Sequence, residues 1–188
     1  YRSTIPRRVG LAGSSALVTA TLRGLMEFYE VYIPKPVQPN LILSVENEEL
    51  GISAGLQDRV IQVYEGCVFM DFAKEHLDRE GYGVYEELDP AALPNVYVAY
   101  RTDAAEGSEV FHNNIRERWN MGDQQVVDAM HAFAGYAQEA RDLIVAGRGS
   151  EIGPLLDQNF DMRRSMYNID PRNVDMVERA RSAGASAK

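Results

Sequence analysis

Residues 5–26, IPRRVGLAGSSALVTATLRGLM, join a glycine-rich turn directly to an apolar helical segment. The helix is predicted to reach about Tyr29 and, because it is apolar over most of its circumference, to be buried. The turn runs from Gly10 to Gly13, and Ser14 and Ser15 stand at the predicted helix start. Glycines let backbone amides approach a ligand closely, and the first four amides of a helix have no partner within it. Together with the helix dipole, these amides form a suitable binding site for a phosphate group.

The same turn has a simpler interpretation, as a serine N-cap after a glycine turn. It is neither of two familiar nucleotide-binding loops. A Walker loop needs a lysine directly after its last glycine, whereas Ser14 follows Gly13. The dinucleotide fingerprint G-x-G-x-x-G is not supplied by Gly10 and Gly13. The residues alone therefore leave both the phosphate site and the plain helix cap open.

The composition describes an ordinary globular protein. The chain has 188 residues, of which 45% are hydrophobic and 25% charged, and its formal net charge is −9. No apolar run approaches the ~18 residues of a membrane span, so no membrane partner is expected. The negative charge argues against nucleic acid as a main partner. A single cysteine, Cys67, fits core packing in a reducing cytoplasm.

A second helix is predicted from about residue 40 to residue 50, after the proline-rich connection 34–39. Ile42, Glu46 and Leu50 share one row of that helix, which places Glu46 in the middle of an apolar face. A carboxylate in such a position is either paired with a cation or bound to a metal ion. The pattern alone favours neither the paired nor the metal-binding interpretation of Glu46.

Asp58 lies just before the apolar run 60–64, after the glycine-containing stretch 51–59, GISAGLQDR. In the simplest interpretation it is an acidic helix N-cap.

The remaining chain divides into a strand-rich and a helical part, with a domain boundary predicted near Pro94. Strands are predicted over 67–72, 84–88 and 96–100, and helices over about 108–119, 123–146, 151–166 and 170–183. The helix over 123–146 has an apolar stripe at helical spacing that is predicted to face the core, formed by Val126, Met130, Phe133, Ala137, Ala140 and Ile144.

The seven residues from Gly10 to Ala16, GLAGSSA, resemble the second motif of the GHMP kinases, a proline followed by Gly-Leu-Gly-Ser-Ser-Ala. One extra residue separates the glycine-leucine pair from the serines here. Further strings resemble the glucuronokinase branch of that family, namely PKPVQPN (34–40), AGLQDRV (54–60), MDFAKEH (70–76), RERW (116–119) and QNFDMRR (158–164).

The resemblance implies roles for particular residues. The backbone around Gly10, Leu11, Ala12, Gly13, Ser14 and Ser15 is expected to bind the phosphates of ATP. In sugar kinases of this family a magnesium-binding glutamate precedes the catalytic aspartate, and Glu46 and Asp58 stand twelve positions apart (58 − 46), similar to galactokinases. Ser14 or Ser15 would bind Mg²⁺ together with Glu46. Arg59, which follows Asp58, would stabilise that anion or pair with a substrate carboxylate.

The resemblance also implies an α/β fold, with a ribosomal-S5-like N-terminal part (1–93, ATP- and Mg-binding) and a ferredoxin-like, helix-rich C-terminal part (94–188). The implied reaction is ATP- and Mg²⁺-dependent phosphorylation of the anomeric hydroxyl of D-glucuronate, which gives the 1-phosphate. Both parts are expected to be incomplete, because the family has a first motif before the region corresponding to Tyr1 and a third motif after the string GASAK (184–188).

An arginine cluster supports a substrate that carries a carboxylate, since Arg2, Arg7, Arg8 and Arg59 concentrate cations in an acidic chain. Two alternatives remain. One is a related kinase for another sugar or a polyol, and the other is a catalytically silent nucleotide-binding module.

Overall fold

The computed structural model describes residues 2–6, 9–51, 54–102 and 109–188, with the side chains of 109–114 outside this description. Internal contacts divide the chain into two units. The first contains Tyr1–Leu88 and Tyr100–Gly107, and the second contains Asp89–Ala99 and Ser108–Lys188. The predicted functional division at residue 93 stays a prediction.

The first unit begins with three helical segments that pack on one another. These are α1 (Gly13–Phe28), α2 (Gln38–Ser44), which continues into a π-helical turn (Val45–Glu49), and α3 (Leu56–Tyr64). Pro39 stands in the first turn of α2, where its missing amide hydrogen costs nothing. Ile42 of α2 and Val60 and Val63 of α3 form the buried centre of this packing.

The prediction that α1 is buried around most of its circumference is wrong. The helix buries Ser15 and Thr19, whereas Leu25 is exposed and Phe28 is 76% exposed. The reason is that α2 and α3 cover one face of α1. Small polar residues occupy that face, and they allow close approach of the helices.

A β-hairpin with a helical insertion follows α3. Strand β1 (Cys67–Asp71) pairs antiparallel with β2 (Val84–Leu88), in a register that sets Phe69 opposite Glu86, and α4 (Lys74–Glu80) lies between the strands. Both strands are confirmed, and α4 was not predicted. The rings of Tyr64 and Tyr85 pack edge to face with 5.4 Å between their centroids, and this contact packs the hairpin against α3. Cys67 is half-buried, and burial raises the pKa of its thiol.

The strand predicted over residues 96–100 is wrong. Val96, Tyr97, Val98 and Tyr100 are exposed, and the segment forms no ladder with any strand that the structure describes. The β-branched and aromatic residues favour an extended backbone, but a strand also needs a neighbour for its amides and carbonyls.

The second unit is helical. It contains α5 (Glu109–Asn120), α6 (Gln124–Val145), α7 (Gly153–Met166) and α8 (Pro171–Ser182), with short 3₁₀ turns at Pro90–Ala92 and Gly149–Glu151. Asp123 and Asp170 cap α6 and α8, because their carboxylates accept the amide hydrogens of Gln125 and Arg172.

The stripe predicted on α6 faces the core at its two ends. Val126 and Ile144 are buried, whereas Ala137 between them is exposed. On α7, Leu155 and Phe160 are buried.

The predicted α/β class is confirmed in the form of a helix-rich mixed fold with a small two-stranded sheet. In the part of the chain that the structure describes, no helix is long and apolar enough to cross a membrane.

Two glycines of the second unit should respond to alanine with opposite signs. A Cβ atom on Gly149 would lie 1.9 Å from the carbonyl oxygen of Ala92, so Gly149→Ala forces the backbone apart. We expect the free energy of unfolding to fall by about 1–3 kcal/mol, as in other overpacked sites. Gly135, inside α6, has open space around it, so Gly135→Ala should stabilise the chain by up to about 1 kcal/mol.

Urea denaturation followed by circular dichroism measures both changes. Equal effects of the two substitutions would contradict the packing of Gly149 against Ala92.

Candidate active site

The start of α1 is built by a left-handed turn. Gly10 has φ +76°, and Ala12, the N-cap residue, has φ +50° and ψ +35°. The left-handed region costs an alanine roughly 1 kcal/mol, and such strain is concentrated at functional sites. Ala12 accepts the first helical hydrogen bond from Ala16 through its carbonyl, but its side chain can cap nothing. Among the described residues, no side chain caps the first-turn amides.

This geometry rules out the serine N-cap. The two serines lie in the first turn itself, and their side chains differ sharply, because Ser14 is exposed and Ser15 is fully buried. The Ser15 hydroxyl donates to Oε2 of Glu46 at 3.4 Å. Thr19, one turn later, donates to the Ser15 carbonyl at 2.7 Å. Ser15 is thus the serine that the fold joins to Glu46.

Glu46 lies in the π-helical turn that ends α2. The turn carries the wider hydrogen bond from the Leu50 amide to the Val45 carbonyl, 3.1 Å long. Ile42 and Glu46 are completely buried, as the predicted row requires, but Leu50 is 56% exposed. The additional residue in the turn rotates Leu50 away from that row. Short π-helical turns are frequent at functional sites.

Arg59 is the partner of Glu46. Its side chain is 5% exposed, and its Nε donates to Oε2 of Glu46 at 2.5 Å. Its Nη1 donates to the Gly55 carbonyl at 3.0 Å and lies 3.7 Å from Oδ2 of Asp58. Glu46 is therefore paired with a cation, which is the first of its two interpretations. The pairing uses Oε2 and leaves Oε1 as a possible ligand for a metal ion.

Asp58 is not a helix N-cap. That position belongs to Gly55, and Asp58 lies in the first turn of α3 with its side chain 53% exposed. A carboxylate there is favoured by the helix dipole. The side chain is thus accessible to a substrate while Arg59 contacts it from the buried side.

The buried carboxylate retains one free acceptor. Oε1 of Glu46 is buried and has no hydrogen-bond partner among the described residues. A magnesium ion prefers hard oxygen ligands and is commonly bound by one or two carboxylates together with substrate phosphates. Oε1 and the serine hydroxyls at the start of α1 fit that pattern. Within the described residues, no cluster of three or more His, Cys, Asp or Glu side chains could hold a metal alone.

The structure thus joins four of the predicted residues by consecutive contacts, from Ser15 through Glu46 and Arg59 to Asp58. Gly10, Leu11, Ala12 and Gly13 form the turn before α1. Arg2 is exposed, and Arg7 and Arg8 lie outside the described residues. Sequence reasoning missed Thr19 and the Gly55 carbonyl, since hydrogen bonds of this kind leave no pattern in the residue types.

Comparison with known proteins shows which family this arrangement resembles. Residues 1–66 match the family model for the GHMP kinases N terminal domain, and this range contains all four of the joined residues. Over its whole length the chain is 42% identical to glucuronokinase 1 and 45% identical to probable glucuronokinase 2, both from Arabidopsis thaliana. The first 66 residues are thus similar to the N-terminal domain of the GHMP kinases, and the whole chain is similar to two glucuronokinases.

The chain spans about half the length of these two relatives, 53% of the first and 52% of the second. A more distant relative is the D-glycero-alpha-D-manno-heptose 7-phosphate kinase of Campylobacter jejuni. It is 22% identical over 89% of this chain and 49% of its own length. No solved structure gave a significant match to the chain.

A double-mutant cycle should reveal strong coupling between Glu46 and Arg59. Replacing either residue alone by methionine leaves its partner charged and buried, which typically costs about 3–5 kcal/mol of unfolding free energy. The double variant Glu46→Met/Arg59→Met removes both charges and should lose much less than the sum. Urea denaturation of the four proteins gives the coupling energy.

An exposed pair provides the control. Glu65 pairs with Arg23 at 2.7 Å, with both side chains about half or more exposed, so Glu65→Gln should cost no more than about 1 kcal/mol. Additive losses in the Glu46/Arg59 cycle would contradict a direct buried interaction.

Proposed function

We propose that this chain is the ATP-binding and catalytic part of a glucuronokinase, which phosphorylates the anomeric hydroxyl of D-glucuronate. One observation carries the proposal: the uncapped start of α1 is connected to an accessible carboxylate through Ser15, Glu46, Arg59 and Asp58. The similarity to two glucuronokinases over the whole chain supports the choice of sugar. The proposal extends to an S5-like first part, a ferredoxin-like second part and a cytoplasmic location.

Each group has a task suited to its position. Phosphoryl transfer depends mainly on positioning, on neutralisation of charge and on a group that receives the hydroxyl proton. The first-turn amides of α1, with Gly10 to Ser15 around them, would bind the phosphates of ATP. Glu46 would bind Mg²⁺ through Oε1, with a hydroxyl of Ser14 or Ser15. The ion would supply positive charge against the phosphate oxygens.

Asp58 is the proposed general base. Its exposed carboxylate would accept the proton of the anomeric hydroxyl as the sugar oxygen bonds to the transferred phosphorus and the bond to the ADP oxygen breaks. The accessible side chain and the adjacent Arg59 guanidinium support this role. An ionised carboxylate is the form that can take the proton.

The geometry favours one of the two roles considered for Arg59. Its Nε and Nη1 are committed to Glu46 and to the Gly55 carbonyl, and the side chain is almost fully buried. A guanidinium held in this way is better placed to stabilise Asp58 than to reach a sugar carboxylate. Recognition of the carboxylate of glucuronate is therefore assigned to another cation of the protein.

A turnover assay across sugars tests the proposed function. The protein expressed from its complete reading frame is supplied with ATP and Mg²⁺ and with glucuronate, galactose or heptose 7-phosphate, and ADP release is measured. Selective turnover of glucuronate supports the proposal. Selective turnover of another sugar identifies a different small-molecule kinase, and ATP binding without any turnover identifies a silent nucleotide-binding module.

Substitution of the proposed base should separate chemistry from folding. Asp58→Asn preserves size and most hydrogen bonding, so folding and ATP binding should persist while kcat falls by about 10²- to 10⁴-fold. Steady-state kinetics and a nucleotide-binding titration measure the two effects.

The control is Glu49→Gln, which neutralises an exposed carboxylate in the π-helical turn and should leave kcat within a factor of about two. If Asp58→Asn kept kcat within about threefold of the unmodified protein, Asp58 would not be the base.

A further inference from the structure

The two oxygens of the Glu46 carboxylate have different surroundings. Oε2 accepts hydrogen bonds from Nε of Arg59 at 2.5 Å and from the Ser15 hydroxyl at 3.4 Å. Oε1 is equally buried but has no partner among the described residues. A buried acceptor without a hydrogen-bond partner costs free energy, and a bound ligand would remove that cost by coordinating Oε1.

The orientation of this carboxylate is set by Arg59, whose guanidinium is itself fixed from α3. Nη1 donates to the carbonyl of Gly55, four residues earlier and directly before the helix, at 3.0 Å. The same nitrogen lies 3.7 Å from Oδ2 of Asp58. The planar fork thus contacts Glu46 on one side and the start of α3 on the other, which a single ammonium group could not do in the same geometry.

We propose that Arg59 is a positioning residue for the metal site: by holding Oε2, it presents Oε1 of Glu46 as the ligand atom for a divalent cation. The same guanidinium forms a longer ion pair with Asp58, at 3.7 Å, so it is next to the proposed base as well as the proposed metal ligand. This inference rests on the proposed function, because it assumes that Glu46 is the carboxylate that binds the cation.

Positioning and simple electrostatics predict opposite results here. A guanidinium beside a cation site repels the cation, so charge alone predicts tighter cation binding when Arg59 is neutralised. If Arg59 positions the ligand atom, its replacement weakens binding instead. Removal of groups that orient metal ligands typically lowers metal affinity by about 10- to 100-fold.

Manganese binding to the protein without nucleotide or sugar tests the inference. The protein expressed from its complete reading frame is titrated with Mn²⁺, and free Mn²⁺ is measured by electron paramagnetic resonance. Arg59→Lys keeps the positive charge in the buried site but not the fork, and we expect it to weaken Mn²⁺ binding about 10- to 100-fold. Arg59→Gln should weaken it as well, although it removes a repelling charge.

Two further variants calibrate the titration, and circular dichroism checks that every variant is folded. Glu46→Gln should abolish the specific site, whereas Glu49→Gln, which removes an exposed carboxylate nearby, should change the affinity by less than about threefold. Unchanged or tighter Mn²⁺ binding in folded Arg59→Lys or Arg59→Gln would overturn the inference. So would an unmodified protein that binds no Mn²⁺ at millimolar concentration.

This outcome is independent of the test of the proposed function. Mn²⁺ binding is measured without sugar, so an Arg59 that does not position Glu46 would leave glucuronate turnover and the Asp58→Asn result intact. Conversely, a protein that phosphorylates another sugar would still show the loss of Mn²⁺ affinity.

Discussion

The ion pair between Glu46 and Arg59 is the interaction on which the candidate active site depends. It removes two charges from water at the place where α1, the π-helical turn and α3 meet. Desolvation of two ions is costly, and buried pairs of this kind often stabilise a fold no better than apolar residues would. Since hydrophobic residues could close the same space, the pair fits the positioning role proposed for Arg59, with Ser15 hydrogen-bonded to Glu46 and Asp58 next to the guanidinium.

The backbone around this pair is also adapted to a site rather than to stability alone. Ala12 adopts a left-handed conformation before α1, and the turn after α2 is π-helical. Both features have a cost in free energy, and both place polar groups where a regular helix would not. The first leaves the amides at the start of α1 uncapped, and the second buries Glu46 while Leu50 turns outward. The packing of Ile42 and Val60 beneath them provides the rigid support that a binding site needs.

Several elements were predictable because their signal is local. The strand Val84–Leu88 and the start of α1 next to the serines follow from residue types and their spacing. Residues 96–100 show the limit of such reasoning, since strongly β-forming residues make no strand without a neighbour. The exposed outer face of α1 has a similar explanation, because amphipathic patterning cannot tell how many elements will cover a helix.

The sequence by itself determined the chemistry of the site. It provided the glycine turn followed by serines, a carboxylate within an apolar row and an aspartate followed by arginine, and these residue types carry the likeness to the GHMP kinases. The tertiary structure decided the connections: Ser15 rather than Ser14 reaches Glu46, Arg59 is buried against that carboxylate, and Asp58 remains accessible. The physical reason is that these contacts join residues 13 to 31 positions apart. Only the packing of three helical segments brings such residues together, and helical periodicity describes one segment at a time.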